Sequence, residues 1–342
     1  MNFILGIILS FITVLVLVVI PFVGIQVANL QMVFGIIIPY AAMFLFLVGM
    51  VGRLFLWSFS PVPFRIPTTA GQQKTFPWIK PNKLENPSSA AGVFGRMLLE
   101  IFTFRSLFRN STMEFREGPR VTYEWEKWLW LSAILFHYAF LVTIIRHLRF
   151  FTEPVPNFVY VLESLDGFAQ VGIGPLPGLM LPGLLLSGVV LLAAAGYLFL
   201  RRIYIPTVRY ISLPTDYFPL LLIIAIAITG ILMRYILKVD IVSAKQLIMG
   251  LVTFHPVIPQ GIGVLFYIHF FLVCCLLAYF PFSKLVHLGG VFLSPTRNMA
   301  NNTRMVRHIN PWNYPVKVHT YDEYEDEFRE KMIEAGIPVE KE

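Results

Sequence analysis

Apolar residues in this chain come in long unbroken blocks rather than in the i, i+3, i+4 stripes of a surface helix on a soluble domain. Six blocks reach the roughly 20 residues that a bilayer's hydrocarbon core requires. They run approximately 3–24, 32–57, 127–151, 178–201, 216–237 and 261–286. This pattern predicts an all-α, polytopic membrane protein with about six transmembrane helices. The first block opens Met-Asn-Phe without a basic leader, and no small-residue cleavage site follows it, so a retained helix is expected. The third block is weakened by His137, Arg146, His147 and Arg149.

The polar stretches between the blocks suggest an organisation. Residues 1–31 form an additional N-terminal transmembrane helix and 32–57 a second. Residues 58–126 form an insert, 127–290 a four-helix core, and 291–342 a tail. Basic residues separate the two faces. The 58–126 stretch carries Arg65, Lys74, Lys80, Lys83, Arg96, Arg105, Arg109, Arg116 and Arg120, and Arg202 and Arg209 lie in the 202–215 connection. The 25–31 and 152–177 connections have neither Lys nor Arg, and 238–260 has only Lys238 and Lys245. Because basic loops stay on the cytoplasmic side, both termini and the long insert are expected there. The insert is too long for a turn and rich in aromatics. Trp78, Phe102, Phe104, Arg105 and Phe108 are residue types favoured at interface hot spots, so it is expected to dock a partner. The acidic end, Tyr321–Glu342, is expected to be partly helical.

Composition agrees with this reading. Hydrophobic residues make up 56% and charged residues 14%, and the mean hydropathy is +0.69. A soluble domain carries about 25% charged residues, so the solvent expected here is the lipid bilayer. The net charge of +7 comes from loops flanking apolar blocks, and no nucleic-acid motif is present. The two cysteines, Cys274 and Cys275, are adjacent within an apolar block. An iron–sulfur cluster or structural zinc needs several thiolates at suitable spacing, so no such cluster is expected in this chain.

The chemistry-bearing signal is histidine. His308 and His319 lie in the tail and His255 precedes Pro256 in a loop. The other four form two pairs, His137 with His147 in the third block and His269 with His287 in the sixth. Ionisable residues within a membrane span mark functional sites by default. Ten helical residues rise about 15 Å and eighteen about 27 Å, too far for either pair to share one ion. Two separate irons are expected instead, one towards each face. The third and sixth helices run antiparallel, which levels His137 with His287 and His147 with His269. Two axial imidazoles leave iron no open position, an arrangement for electron transfer rather than oxygen binding. The unequal spacings, about 12 Å apart at helical rise, call for tilted helices or for obliquely seated irons and their ligand planes, and a bent or partly unwound segment near Pro281 would absorb some of the difference. A competing expectation is a non-redox membrane anchor or transporter whose histidines line a proton or substrate path.

The strings FHYAFLVTIIRHLRFFTEP (136–154) and GVLFYIHFFLVCCLLAYFPFSKLVHLGG (263–290) resemble the haem helices of the nitrate reductase gamma-subunit family. RRIYIPTVRYISLPTDYFPLLL (201–222) and VTFHP (252–256) carry the same pattern, and the resemblance spans roughly residues 32–307. It implies two haems b, with His137 and His287 ligating the inner one and His147 and His269 the outer one, held between the third and sixth helices. Within the insert, SPVPFRIPTTAGQQKTFPWIKPNK and GRMLLEIFTFRSLFRNS resemble the DsrM group, cytochrome b subunits of membrane complexes linked to dissimilatory sulfite reduction. That likeness implies a prokaryotic cytoplasmic membrane and a cytoplasmic iron–sulfur partner similar to the catalytic subunit of heterodisulfide reductase. It also implies a multihaem cytochrome c, a ferredoxin-like subunit and a second membrane subunit. The activity implied is electron transfer between menaquinol and that partner, within a quinol-dependent oxidoreductase of sulfur metabolism. The chain departs from nitrate reductase in its additional first helix, in its insert, and in having Glu163 and Asp166 where relatives place a basic residue. Quinol chemistry is accordingly expected near Arg146, Arg149, Glu163 and Asp166, with the two acids as proton acceptors. Arg202 and Arg209 are expected near haem propionates, as Arg146 and Arg149 are if they do not line the quinol site.

Overall fold

The computed structural model describes residues 3–60, 71–118, 120–167, 185–303 and 319–341. Among these residues, six helices are long and apolar enough to cross a membrane: Phe3–Gln26, Val33–Ser58, Lys127–Phe150, Leu186–Tyr204, Pro214–Ile236 and Val264–Phe282. The protein is an all-α, polytopic membrane protein, as expected. The first part of the anticipated fourth block, 178–184, lies outside the described residues.

Two compact units divide the chain, one of residues 1–57 and 95–293, the other of 58–94 and 294–342. The first contains the membrane bundle. Helix α1 (Phe3–Gln26) turns its small residues inward, burying Gly6, Ser10 and Val14 at four-residue spacing while Ile8, Phe11 and Leu15 face outward. Small residues let helix backbones approach closely where lipid supplies no hydrophobic drive between helices. Gly6 accordingly lies against Pro214, and the Ser10 hydroxyl bonds the Gly6 carbonyl at 2.8 Å or the Pro214 carbonyl at 3.1 Å. The second span begins with a π-helical turn, Val33–Ile37, and continues as α2 (Ile38–Ser58).

Helices α3 (Ala90–Thr103) and α4 (Arg105–Phe108) precede a β-hairpin of β1 (Ser111–Arg116) and β2 (Arg120–Trp125). The hairpin is the only sheet among the described residues. Its register pairs Met113 with Tyr123 and Phe115 with Val121, and these alternate with Thr112–Glu124 and Glu114–Thr122. One face is therefore apolar and the other polar. The spans then continue with α5 (Lys127–His147, extended by a tight turn to Phe150), α7 (Leu186–Tyr204) and α9 (Pro214–Ile231, extended by a π turn to Ile236). Between them lie α6 (Asn157–Asp166) and α8 (Pro206–Ile211), and after them α10 (Ile241–Val252). One core joins Val14, Ala139, Leu191, Leu222, Ile268 and Leu272, one or more residues from each of α1, α5, α7, α9 and the sixth span. A second joins Ile25, Phe34, Leu247, Tyr267 and Phe271.

The sixth span carries the decisive irregularity. Helix α11 (Val264–Tyr279) unwinds into two tight turns, Phe280–Phe282 and Lys284–Val286, before α12 (His287–Leu293) resumes. Pro281 has no N–H to continue the ladder, and Ser283 is extended, its hydroxyl accepting from Leu285 N at 3.1 Å. Helix α2 packs on this break. A Cβ on Gly49 would stand 2.7 Å from Pro281 Cβ, so only glycine permits the approach, and Arg53 Nε donates to the freed Pro281 carbonyl at 3.2 Å.

In the second unit, the Asn301 side chain donates to Asn86 Oδ1 at 2.7 Å and its backbone N–H to Pro87 O at 2.7 Å. Helix α13 (Tyr321–Glu334) starts at a Thr320–Glu323 capping box. Its buried Glu325 accepts from Arg329 and from the backbone N–H groups of Glu340 and Lys341, each at 2.9 Å. The acidic end is thus a folded helix with its terminal strand of chain tied back.

Candidate functional site

Because α5 and the α11–α12 segment run antiparallel, each end of the bundle receives one histidine from each. At one end, the rings of His137 and His287 lie with centroids 6.0 Å apart and planes at 81°. An iron held between two imidazoles, with bonds of roughly 2 Å on each side as imidazole makes to other transition metals, places the ring centroids about 6 Å apart. The break at Pro281–Ser283 makes this possible. An uninterrupted helix would carry His287 about 27 Å beyond His269, whereas the unwound turns redirect it towards His137. At the other end, His147 closes α5 and His269 lies in the first turns of α11.

Each imidazole is oriented through Nδ1. His137 donates to Ala133 O at 2.7 Å, His147 to Thr143 O at 2.7 Å, and His287 to Lys284 O at 2.8 Å. His269 Nδ1 meets Thr229 Oγ1 at 2.9 Å. The one Thr229 hydroxyl proton is directed to the carbonyls of Ala225 and Ile226, at 2.8 and 3.0 Å, so its oxygen accepts from His269. In all four residues the proton on Nδ1 leaves Nε2 with a free lone pair, the state a metal ligand requires. His255 makes a similar bond to Thr253 O, so the bond alone does not mark a ligand. Four such groups occur in the two segments that carry the histidine pairs. Among the described residues no three His, Cys, Asp or Glu side chains cluster to cage an ion. Two facing imidazoles would suit a group that brings its remaining ligands with it.

Around His147 the charges are organised. Arg146 Nη1 donates to Asp166 Oδ2 at 2.6 Å and to Ser187 Oγ at 2.9 Å, with both charged side chains nearly buried. Asp166 also accepts from Ser187 N at 2.7 Å and from its hydroxyl at 2.6 Å, so it ties α6 to the start of α7. Arg149 Nη1 reaches both Glu163 oxygens, at 2.8 and 2.9 Å, and Arg234 stands 3.9 Å from the same acid. The four residues expected near the quinol are thus brought together as two ion pairs. Arg146 Nε and Thr143 Oγ1 are buried without a hydrogen-bond partner among the described residues. These polar atoms beside His147 fit the anionic edge of a haem. A groove of about 450 Å³ is lined by Arg149, Phe150, Tyr160 and Lys245. Its Lys245 pairs with Glu153.

The other end is held differently. Lys284 Nζ donates to the buried Asp216 Oδ1 at 2.6 Å, and Asp216 Oδ2 accepts from Leu213 N at 3.0 Å to cap α9. Arg202 bonds Ser212 Oγ at 3.1 Å, and Arg209 lies over the Phe3 ring at 4.9 Å. Arg201 pairs with Glu126 through two 3.0 Å contacts. Arg202 and Arg209, expected near haem propionates, thus meet Ser212 and Phe3, and the neighbouring Arg201 meets Glu126. Asp216, Lys284, Thr229, Arg53 and Gly49 had no sequence signal of their own, because each matters only through a neighbour remote in the chain.

Residues 93–308 match the family described as nitrate reductase gamma subunit. The match takes in the last four spans and both histidine pairs, and it starts later than the 32–307 stretch of the expected resemblance. Two relatives carry the description "Hdr-like menaquinol oxidoreductase cytochrome b-like subunit". The one from Archaeoglobus fulgidus is 46% identical over 287 residues, covering 82% of this chain and 83% of the relative. The one from Archaeoglobus profundus is 44% identical over 281 residues, covering 80% and 81%.

Proposed function

The chain belongs to the nitrate reductase gamma-subunit family, and on that premise we propose that it is the di-haem cytochrome b subunit of a menaquinol-dependent oxidoreductase complex. The observation that carries the proposal is the two cross-helix histidine pairs, each imidazole tied back through Nδ1, with the 6.0 Å facing of His137 and His287. His137 and His287 would hold one haem b and His147 and His269 the other. Bound there, haem iron would supply reversible one-electron chemistry with no open coordination position.

In this reading the membrane is the cytoplasmic membrane of a prokaryote and both termini are cytoplasmic, following the distribution of Lys and Arg. His147 and His269 then lie at the outer side, where menaquinol is oxidised beside Arg149 and its groove. The two acids divide the work. Asp166 is saturated by Arg146 and Ser187 and is held as a structural carboxylate. Glu163 is half-buried and shares its charge with Arg234 and with Arg149, a residue of the groove lining, so it is the better-placed proton acceptor. Electrons leave at the His137 side to a cytoplasmic iron–sulfur subunit similar to the catalytic subunit of heterodisulfide reductase. The relatives' description as Hdr-like supports that partner. The DsrM-type strings of the insert support a sulfur-metabolism complex with a multihaem cytochrome c, a ferredoxin-like subunit and a second membrane subunit. They also support a protein-bound trisulfide or disulfide as final acceptor. Exposed Trp78 and Phe102 are the insert's available docking residues.

A reduced-minus-oxidised visible spectrum of the purified chain tests the core of the reading. Two b-type components are expected, and the absence of any b-type band overturns it. Reduction by a menaquinol analogue should be lost in Glu163→Gln while dithionite still reduces both components. Unchanged quinol kinetics in that variant place proton release elsewhere.

A further inference from the structure

Phe104 joins α3 to α4 with φ 49° and ψ 46°, the left-handed region that a bulky aromatic residue rarely adopts. The strain is maintained by anchors on both sides. The last carbonyls of α3 have no partners within their helix, and side chains of α5 supply them: Trp130 Nε1 donates to Thr103 O at 2.8 Å and Tyr138 Oη to Phe102 O at 2.9 Å. On the far side, Glu100 Oε2 accepts from the Ser106 N–H at 3.0 Å and from its hydroxyl at 2.7 Å. Phe108 packs edge-on against Trp130 at 4.8 Å. The donors Trp130 and Tyr138 flank His137 on α5. The result is that the Phe104 ring stands edge-on to the His137 imidazole, with centroids 4.9 Å apart and planes at 85°.

A glycine at this turn would adopt the same backbone freely. An aromatic ring held there at the cost of strain needs a reason, and the reason on view is the imidazole it touches. We propose that Phe104 is a positioning residue for His137: its ring fixes the rotation of the imidazole, already tethered at Nδ1. The insert thereby reaches the His137–His287 pair directly. This inference rests on the di-haem reading above.

The test uses the full-length chain in membranes, with Phe104→Gly, Phe104→Leu and Phe104→Tyr. Readouts are the haem b content, the midpoint potential of each component, and the low-spin ferric EPR signal, which reports the mutual orientation of axial rings. Phe104→Gly relieves the backbone and should keep two haems. It should alter the preference of the His137–His287 site for ferric over ferrous iron several-fold, each tenfold being about 59 mV. The EPR signal of that site should move, and the His147–His269 component should not. Phe104→Leu should behave alike, and Phe104→Tyr should restore wild-type values. Should both Gly and Leu variants retain wild-type potentials and EPR signals, Phe104 is only a turn residue and the proposal falls while the di-haem reading stands. A wild-type chain lacking a b-type band overturns the di-haem reading, and this proposal with it.

Discussion

At the His147–His269 end, both histidines sit on continuous helix, whereas at the other end His287 rides on a short helix beyond a break. The first end takes its support locally or from the adjacent spans. Thr143 is one turn before His147, Thr229 faces His269 from α9, and the buried Arg146–Asp166 pair closes the surface with Ser187. The second end takes its support from far along the chain. Gly49 and Arg53 of α2 receive Pro281, Trp57 packs on Gly289 and Gly290, Asp216 of α9 holds Lys284, and Phe104 of the insert meets His137. A ligand on an intact helix is positioned by backbone hydrogen bonds that every residue shares. A ligand beyond a break is positioned only by the contacts made to it, and so it can respond to what binds nearby. The end built from long-range contacts is also the one assigned to the partner.

The largest effect that would test this contrast is loss of a ligand. His137→Ala and His287→Ala should each remove the same low-spin component, and His147→Ala and His269→Ala the other, as read by potentiometric visible spectra. Loss of one common component in His137→Ala and His269→Ala would break the pairing. Next comes charge. Asp166→Asn leaves a nearly buried Arg146 without its counter-ion and should lower stability by about 3–5 kcal/mol, seen as a fall in thermal midpoint in detergent. Lys284→Ala removes an ammonium that is 72% exposed but leaves the buried Asp216 without its cation, and should cost about 1–3 kcal/mol, less than Asp166→Asn, while still shifting the potential of the His137–His287 component. Equal destabilisation by the two would erase the difference between the ends.

Gly49→Ala should drive a methyl group into Pro281, costing about 1–3 kcal/mol and perturbing only the component ligated by His287. A wild-type spectrum there would show that the break does not depend on α2. A comparable effect is expected on the continuous-helix end. Thr229→Val removes the acceptor of the His269 Nδ1 proton and should weaken haem retention at that end by about 10–100-fold, measured by haem loss to a scavenging apoprotein. No change in retention would mean the helix alone orients His269.

Much of this was legible in the chain itself. Blocks of about 20 apolar residues announce spans because a bilayer leaves backbone groups no other partner than their own helix. Antiparallel order then follows from the count of spans, and with it which histidine meets which. Even the mismatch between spacings of ten and eighteen pointed at Pro281, since a proline without an N–H is a local property. The other determinants were not legible, and for one reason. Phe104 reads as a docking aromatic until its ring is found against His137. Glu163 and Asp166 read as equivalent loop acids until Ser187 and Arg146 are seen to saturate one of them. Gly49 and Asp216 carry no periodic or motif signal, because their roles lie in contacts with Pro281 and Lys284 more than 60 residues away along the chain. Local backbone physics determined the spans and the histidines they carry from sequence alone. Only the tertiary structure decided how each histidine is held, because that depends on distances between residues that covalent order does not constrain.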